Sequence, residues 1–81
     1  IEGVTPLDPA VHVGRRIHDA RKAAGLTQHE LATRLGTTQE YVSRVERGKA
    51  TPSVENLYRW ATAVEVDAGW LLDSEPLEKN A

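Results

Sequence analysis

QHELATRLGTTQEYVSRVER, residues 28–47, decides the fold of this 81-residue chain. Two apolar pairs run through it, Leu31 with Leu35 and Val42 with Val45, and Gly36 falls between them. Spacing of three or four residues marks one face of a helix rather than of a strand. Gly36 supplies the left-handed backbone on which helices commonly end, and Ala32 is small where two such helices would cross. Thr27 followed by Glu30 forms a capping box for the first helix. Thr37 with Glu40 offers another for the second, with Thr38 as a competing cap. The stretch predicts two short helices joined by a tight turn, the layout of a helix-turn-helix.

With the second helix starting at Gln39, the side chains of Gln39, Glu40, Ser43 and Arg44 stand opposite Val42 and Val45. Amide, carboxylate, hydroxyl and guanidinium groups on one exposed helix face are the set that reads base edges. Arg44 is the strongest of the four, since a guanidinium pairs bidentately with guanine O6 and N7. Its plainer alternative is a surface pair with Glu40 one turn earlier. Glu40 repels phosphate and can accept from cytosine N4, so it bears on selectivity more than on affinity. Arg47 and Lys49 flank Gly48 at the end of this helix, where cations suit both the helix dipole and a phosphate. The N-terminal N–H groups and the side-chain amide at Gln28 suit a phosphate too. Thr38 and Tyr41 complete the candidate phosphate contacts, Tyr41 having padding of the helix as its alternative.

GLTQHELATRLGTTQEYVSRVERGKATPS, residues 25–53, resembles the DNA-binding domain of the phage repressor and Cro-type helix-turn-helix family. The similarity extends from Val13-Gly14-Arg15-Arg16-Ile17 through Trp70-Leu71-Leu72. It implies an all-α, five-helix, lambda-repressor-like domain in which helices 2 and 3 form the helix-turn-helix. It also implies a sequence-specific regulator of double-stranded DNA, with a recognition helix at about residues 39–47 in the major groove and a homodimer on a two-fold operator. The matching glutamine in the family binds a phosphate and braces the glutamine that opens the recognition helix, here Gln28 and Gln39. Arg21 aligns with an arginine that pairs internally with the glutamate matched by Glu46. Many family members carry a neutral residue where Glu40 stands. Family counterparts often dimerise through the C-terminal region, where Val66, Leu71 and Leu72 offer more apolar surface than one short helix needs. Trp70 is then expected in the monomer core, with Leu71 or Leu72 at the symmetry mate.

Outside the motif, residues 1–8 lack periodicity and read as an arm or linker, poor in the basic residues that a groove-inserting arm needs. Asp8 caps a first helix that opens on Pro9, carries Ala10, Val13, Ile17, Ala20 and Ala24 as its apolar stripe, and ends at Gly25. Ser53 caps a fourth helix with Leu57, Trp60, Ala61 and Val64 on its inner face. Asp67 opens a short fifth with Trp70, Leu71 and Leu72. The domain is expected over 9–73, followed by a polar tail over 74–81.

The chain suits one small domain, and its lack of cysteine excludes disulfides and thiolate metal sites. No apolar run approaches a membrane span or a signal-peptide core, so a cytoplasmic protein is expected. The opening on Ile1 rather than Met is expected of a trimmed product or an excerpt. A net charge of −2 argues at first against nucleic acid, but residues 15–59 hold nine basic side chains against five acidic, while the flanks hold one against seven. That asymmetry suggests a bipolar molecule with one DNA-facing end. His12, His18 and His29 lack metal-ligand spacing, and no serine shares a local signature with a histidine and an acid. No metal, cofactor, small-molecule substrate or enzymatic activity is therefore expected. The competing function class is a protein-interaction module, such as an antitoxin or partner-docking domain on the same fold.

Overall fold

The computed structural model describes residues 9–72, and among them the secondary structure is five helices: α1 (Pro9–Ala23), α2 (Gln28–Leu35), α3 (Gln39–Glu46), α4 (Val54–Ala63) and α5 (Ala68–Leu72). The expected arm, the Asp8 cap and the expected tail lie outside the described residues. Helix α1 lies against α3 and α5, α2 against α3 and α4, and α4 against α5, so all five enclose one core. Ile17, Leu31, Val42, Val45, Val64 and Leu71 are fully buried at its centre. Each comes from an apolar stripe with helical spacing, which is how segments as short as α2 and α3 become stable: packing, not isolated propensity, holds helices of this length.

The helix-turn-helix is fixed by local chemistry. Thr27 accepts from the Glu30 N–H, and the Glu30 carboxylate accepts from the Thr27 N–H, a complete capping box. Gly36 ends α2 with φ 72°. Of the two candidate caps for α3, Thr38 takes the position, its hydroxyl accepting from the Tyr41 N–H at 3.1 Å. The box expected from Thr37 and Glu40 does not form. Thr37 belongs to the preceding turn, where its N–H donates to the Ala32 carbonyl at 3.0 Å.

Helix α1 crosses the end of α3 at Gly14. A Cβ there would stand 2.3 Å from the Val45 carbonyl oxygen and 2.9 Å from that of Glu46. Only glycine admits this approach. On the other side of the core, the ring of Trp60 is buried and meets Tyr41 edge to face, centroids 6.0 Å apart.

Helix α5 departs from expectation. Leu71 is 0% exposed, whereas Trp70 is 38% and Leu72 49% exposed. Trp70 is thus not a core residue: its ring lies beneath the Arg16 guanidinium, 4.4 Å from the centroid, and its carbonyl accepts from Arg16 Nη1 at 3.1 Å. Leu71 takes the inward place, which removes it from any surface that meets a second chain. Val66 is half-buried against the core.

Candidate nucleic-acid interface

Val42 and Val45 are fully buried, so the opposite side of α3 faces outward, and Gln39, Glu40 and Arg44 are exposed on it. No ion pair joins Glu40 to Arg44 among the described residues, leaving the Arg44 guanidinium without an internal partner. Ser43 is half-buried, and both its hydroxyl and its carbonyl accept from Arg47 Nε, at 3.2 and 3.3 Å. Arg47 is thereby laid back along the last turn of α3. Lys49 is exposed just beyond it. The Thr38 hydroxyl oxygen is occupied as a cap, and Tyr41 is half-buried through its contact with Trp60.

Behind this face, Arg21 turns inward rather than toward solvent. Its Nε donates to Glu46 Oε2 at 2.6 Å, its Nη2 to Glu46 Oε1 at 3.1 Å, and its Nη1 to the Leu26 carbonyl at 2.8 Å. One guanidinium therefore ties α1, the loop before α2 and the end of α3. The Gln28 amide, which the family pattern directs to Gln39, instead donates to Glu46 Oε1 at 3.0 Å. Burial would raise the pKa of Glu46, but the hydrogen bonds from Arg21 and Gln28, the contact with His18 and the Arg21 charge outweigh it, and the carboxyl is held below the usual carboxylate range. Sequence reasoning placed His18 in no role, yet its Nδ1 lies 3.1 Å from the same Glu46 oxygen.

The basic excess of residues 15–59 is not all turned to one face. Arg16 lies on Trp70, Arg21 is buried, Arg34 Nη1 donates to the Ala63 carbonyl at 3.0 Å, and Arg59 Nη2 donates to the Leu35 carbonyl at 3.0 Å. Arg34 and Arg59 thus satisfy the ends of α4 and α2, where orphan carbonyls draw cations. They line an open groove of about 540 Å³ between α2 and α4 with Leu35, Tyr58, Thr62 and Ala63. Among the described residues no group of three or more His, Asp or Glu is placed to hold a metal ion, and no helix is long and apolar enough to cross a membrane.

Residues 17–71 match the helix-turn-helix family over most of the described helices. The chain belongs to that family. The helix-turn-helix-type transcriptional regulator y4dJ of Sinorhizobium fredii is 43% identical over 60 residues, 74% of this chain and 78% of its own length. The restriction-modification controller protein C.AhdI of Aeromonas hydrophila superposes with a TM-score of 0.71 at 37% identity, covering 76% of this chain and 94% of the controller. The biofilm master regulator SinR, solved in complex with DNA, superposes with a TM-score of 0.69 at 35% identity, over 75% of this chain and 98% of the SinR chain. Other curated regulators are longer, and this chain spans only 29% of y4dL from the same Sinorhizobium strain. The protein is therefore a helix-turn-helix transcriptional regulator of the repressor and Cro type, a DNA-binding class built on a five-helix, lambda-repressor-like domain.

Proposed function

We propose that the chain reads a specific double-stranded DNA site by laying α3 in the major groove. The observation that carries this reading is the exposed polar face of Gln39, Glu40 and Arg44, backed by the fully buried Val42 and Val45. The likeness to SinR, solved with DNA bound, supports it. Gln39, Glu40, Ser43 and Arg44 are the base-reading set. Gln28, Thr38, Tyr41, Arg47 and Lys49 hold the flanking phosphates and fix the register. A domain of residues 9–73 acting on DNA in a prokaryotic cytoplasm fits these features.

A single α3 covers a short half-site, and a two-fold dimer that sets two such helices ~34 Å apart would read a full operator. Exposed Trp70 and Leu72 of α5, with half-buried Val66 from the turn before it, form the surface through which the second copy would dock. Selection of sites from a random duplex pool tests the whole reading: a recovered two-fold motif supports it, and no enrichment defeats it. On the recovered site, Arg44→Ala should lose about 1 to 3 kcal/mol and relax choice at one base pair, whereas Lys49→Ala should weaken all sequences and flatten the salt slope by about one unit. Binding without steep salt dependence would favour protein docking instead. Sedimentation on a full site should find two protomers, and one protomer at saturation would remove the dimer.

A further inference from the structure

Four hydrogen-bond contacts converge on the carboxylate of Glu46, which closes α3 with its side chain 4% exposed. Oε2 takes Arg21 Nε. Oε1 faces three groups at nearly equal range: Arg21 Nη2 at 3.1 Å, Gln28 Nε2 at 3.0 Å and His18 Nδ1 at 3.1 Å. An oxygen with two lone pairs is thus offered three partners. His18 Nδ1 also lies 3.3 Å from Arg21 Nη2, a group that can only donate. One nitrogen therefore stands between an acceptor and a donor. With the imidazole proton on Nε2 it accepts from Arg21, and with Nδ1 protonated it donates to Glu46.

We propose that His18 is a positioning residue for Gln28: the proton on His18 Nδ1 decides whether Glu46 Oε1 keeps the Gln28 amide or releases it toward a DNA phosphate. The inference rests on the reading of Gln28 as a phosphate contact. With Nδ1 unprotonated, Arg21 and Gln28 fill the two lone pairs of Oε1. An imidazolium N–H brings a full positive charge to the carboxylate, whereas the Gln28 amide brings only a neutral dipole. When it arrives, the carboxylate gives up its weakest partner, the Gln28 amide. His18 is 46% exposed, so its proton comes directly from solvent. The charged groups facing it are Arg21 from α1 and Glu46 from α3, of opposite sign and at similar range. Arg15 and Lys22 share its flank of α1 one turn to either side, and α2 meets the cluster with neutral Gln28. Protonation therefore rearranges hydrogen bonds while the Arg21–Glu46 pair stays closed.

Solvent exchange of the Gln28 side-chain amide, measured by NMR on the free chain relative to exposed Gln39, tests the latch, because the ratio cancels the intrinsic pH dependence of exchange. On acidification from about pH 8 to 5.5, the protection of Gln28 should fall roughly three- to tenfold, the worth of one hydrogen bond. In His18→Gln, a substitution on the α1 surface, it should not vary with pH. On a fluorescent duplex at fixed salt, acidification should tighten binding by a similar factor more in the parent than in His18→Gln. His29→Gln, which removes a titrating group from the exposed start of α2, should leave that difference in place. Protection of Gln28 that ignores pH, or that changes equally in His18→Gln, overturns the proposal. Protection that follows His18 in a chain that binds no duplex upholds the latch and overturns the DNA reading beneath it.

Discussion

The turn after α2 and the turn after α4 are closed by the same two hydrogen bonds on different residues. After α2, Gly36 donates to Thr33 at 3.2 Å and Thr37 to Ala32 at 3.0 Å, and after α4, Glu65 donates to Thr62 at 3.1 Å and Val66 to Ala61 at 2.9 Å. The residue at the left-handed position is a glycine with φ 72° in the first and a glutamate with φ 64° in the second. A glycine takes that conformation freely, whereas a side chain there costs about 1 to 2 kcal/mol. Each turn is also met by a cation from the other helix: Arg59 reaches from α4 to the Leu35 carbonyl at 3.0 Å, and Arg34 reaches from α2 to the Ala63 carbonyl at 3.0 Å and to the Glu65 carboxylate at 3.7 Å. The turn after α2 thus needs no side chain in a strained conformation, whereas at the turn after α4 the cation that meets the helix end also faces the carboxylate of the residue held in the left-handed region.

The largest effects should come from cutting one ion pair in each half of the domain, a buried pair at the end of α3 and an exposed one at the turn after α4. Arg21 and Glu46 are buried, so removing either strands a charge, and Arg21→Ala or Glu46→Ala should lose about 3 to 5 kcal/mol in urea unfolding. Arg34 and Glu65 are largely exposed, and Arg34→Ala should lose no more than about 1 kcal/mol through the ion pair. A double-mutant cycle that finds no coupling between Arg21 and Glu46 would remove the distinction.

The next largest effect bears on how α5 faces. Leu71→Ala should destabilise the monomer by about 2 to 5 kcal/mol, as deletions from a packed core do. Trp70→Ala gives up an exposed stacking contact with Arg16, worth about 0.5 to 1 kcal/mol. Equal losses at the two positions, read from thermal or urea denaturation, would reverse the orientation of this helix.

What the sequence discloses follows the same division. The Thr27–Glu30 box, Gly36 and the stripes of α2 and α3 are legible because each is written within a few residues. Thr37 and Thr38 are ambiguous locally, and the ambiguity ends only when the Thr37 N–H is committed to the turn. The facing of α5 is not legible: five residues span too little of a helical period to separate Trp70 from its neighbours, and a cation from α1 draws the ring outward. Gly14 sits silently in an otherwise ordinary helix, because its reason is the backbone of α3. The Arg21–Glu46 pairing follows from family resemblance and not from any local signal. His18 and Gln28 join Glu46 from two other elements, a convergence that only the assembled fold brings about.

Exchanging the special residues of the two turns sharpens the contrast with smaller effects. Glu65→Gly should stabilise by about 1 kcal/mol through relief of the left-handed backbone, less whatever the Arg34 contact supplied. Gly36→Ala should destabilise by about 1 kcal/mol for the opposite reason, though no neighbouring atom obstructs the added methyl. Opposite signs in thermal melts are the expected outcome, and a loss at Glu65→Gly would mean that Arg34 does more for that turn than its exposure suggests.

The smallest expected effect is a slope. Because the folded-state pKa of Glu46 is lowered, its ionised form contributes stability that is fully present above the unfolded value of about 4.3 and fades as pH falls through the lower folded value. Stability should therefore decline on acidification through that range. In Glu46→Gln the overall level drops, but this part of the decline disappears, since nothing at the position takes up a proton. Glu65→Gln, in a side chain 66% exposed, should change the slope far less. Urea midpoints between about pH 6 and 3 separate the two, and an unchanged acid slope in Glu46→Gln would show that the tether at the end of α3 does not depend on the charge of its carboxylate.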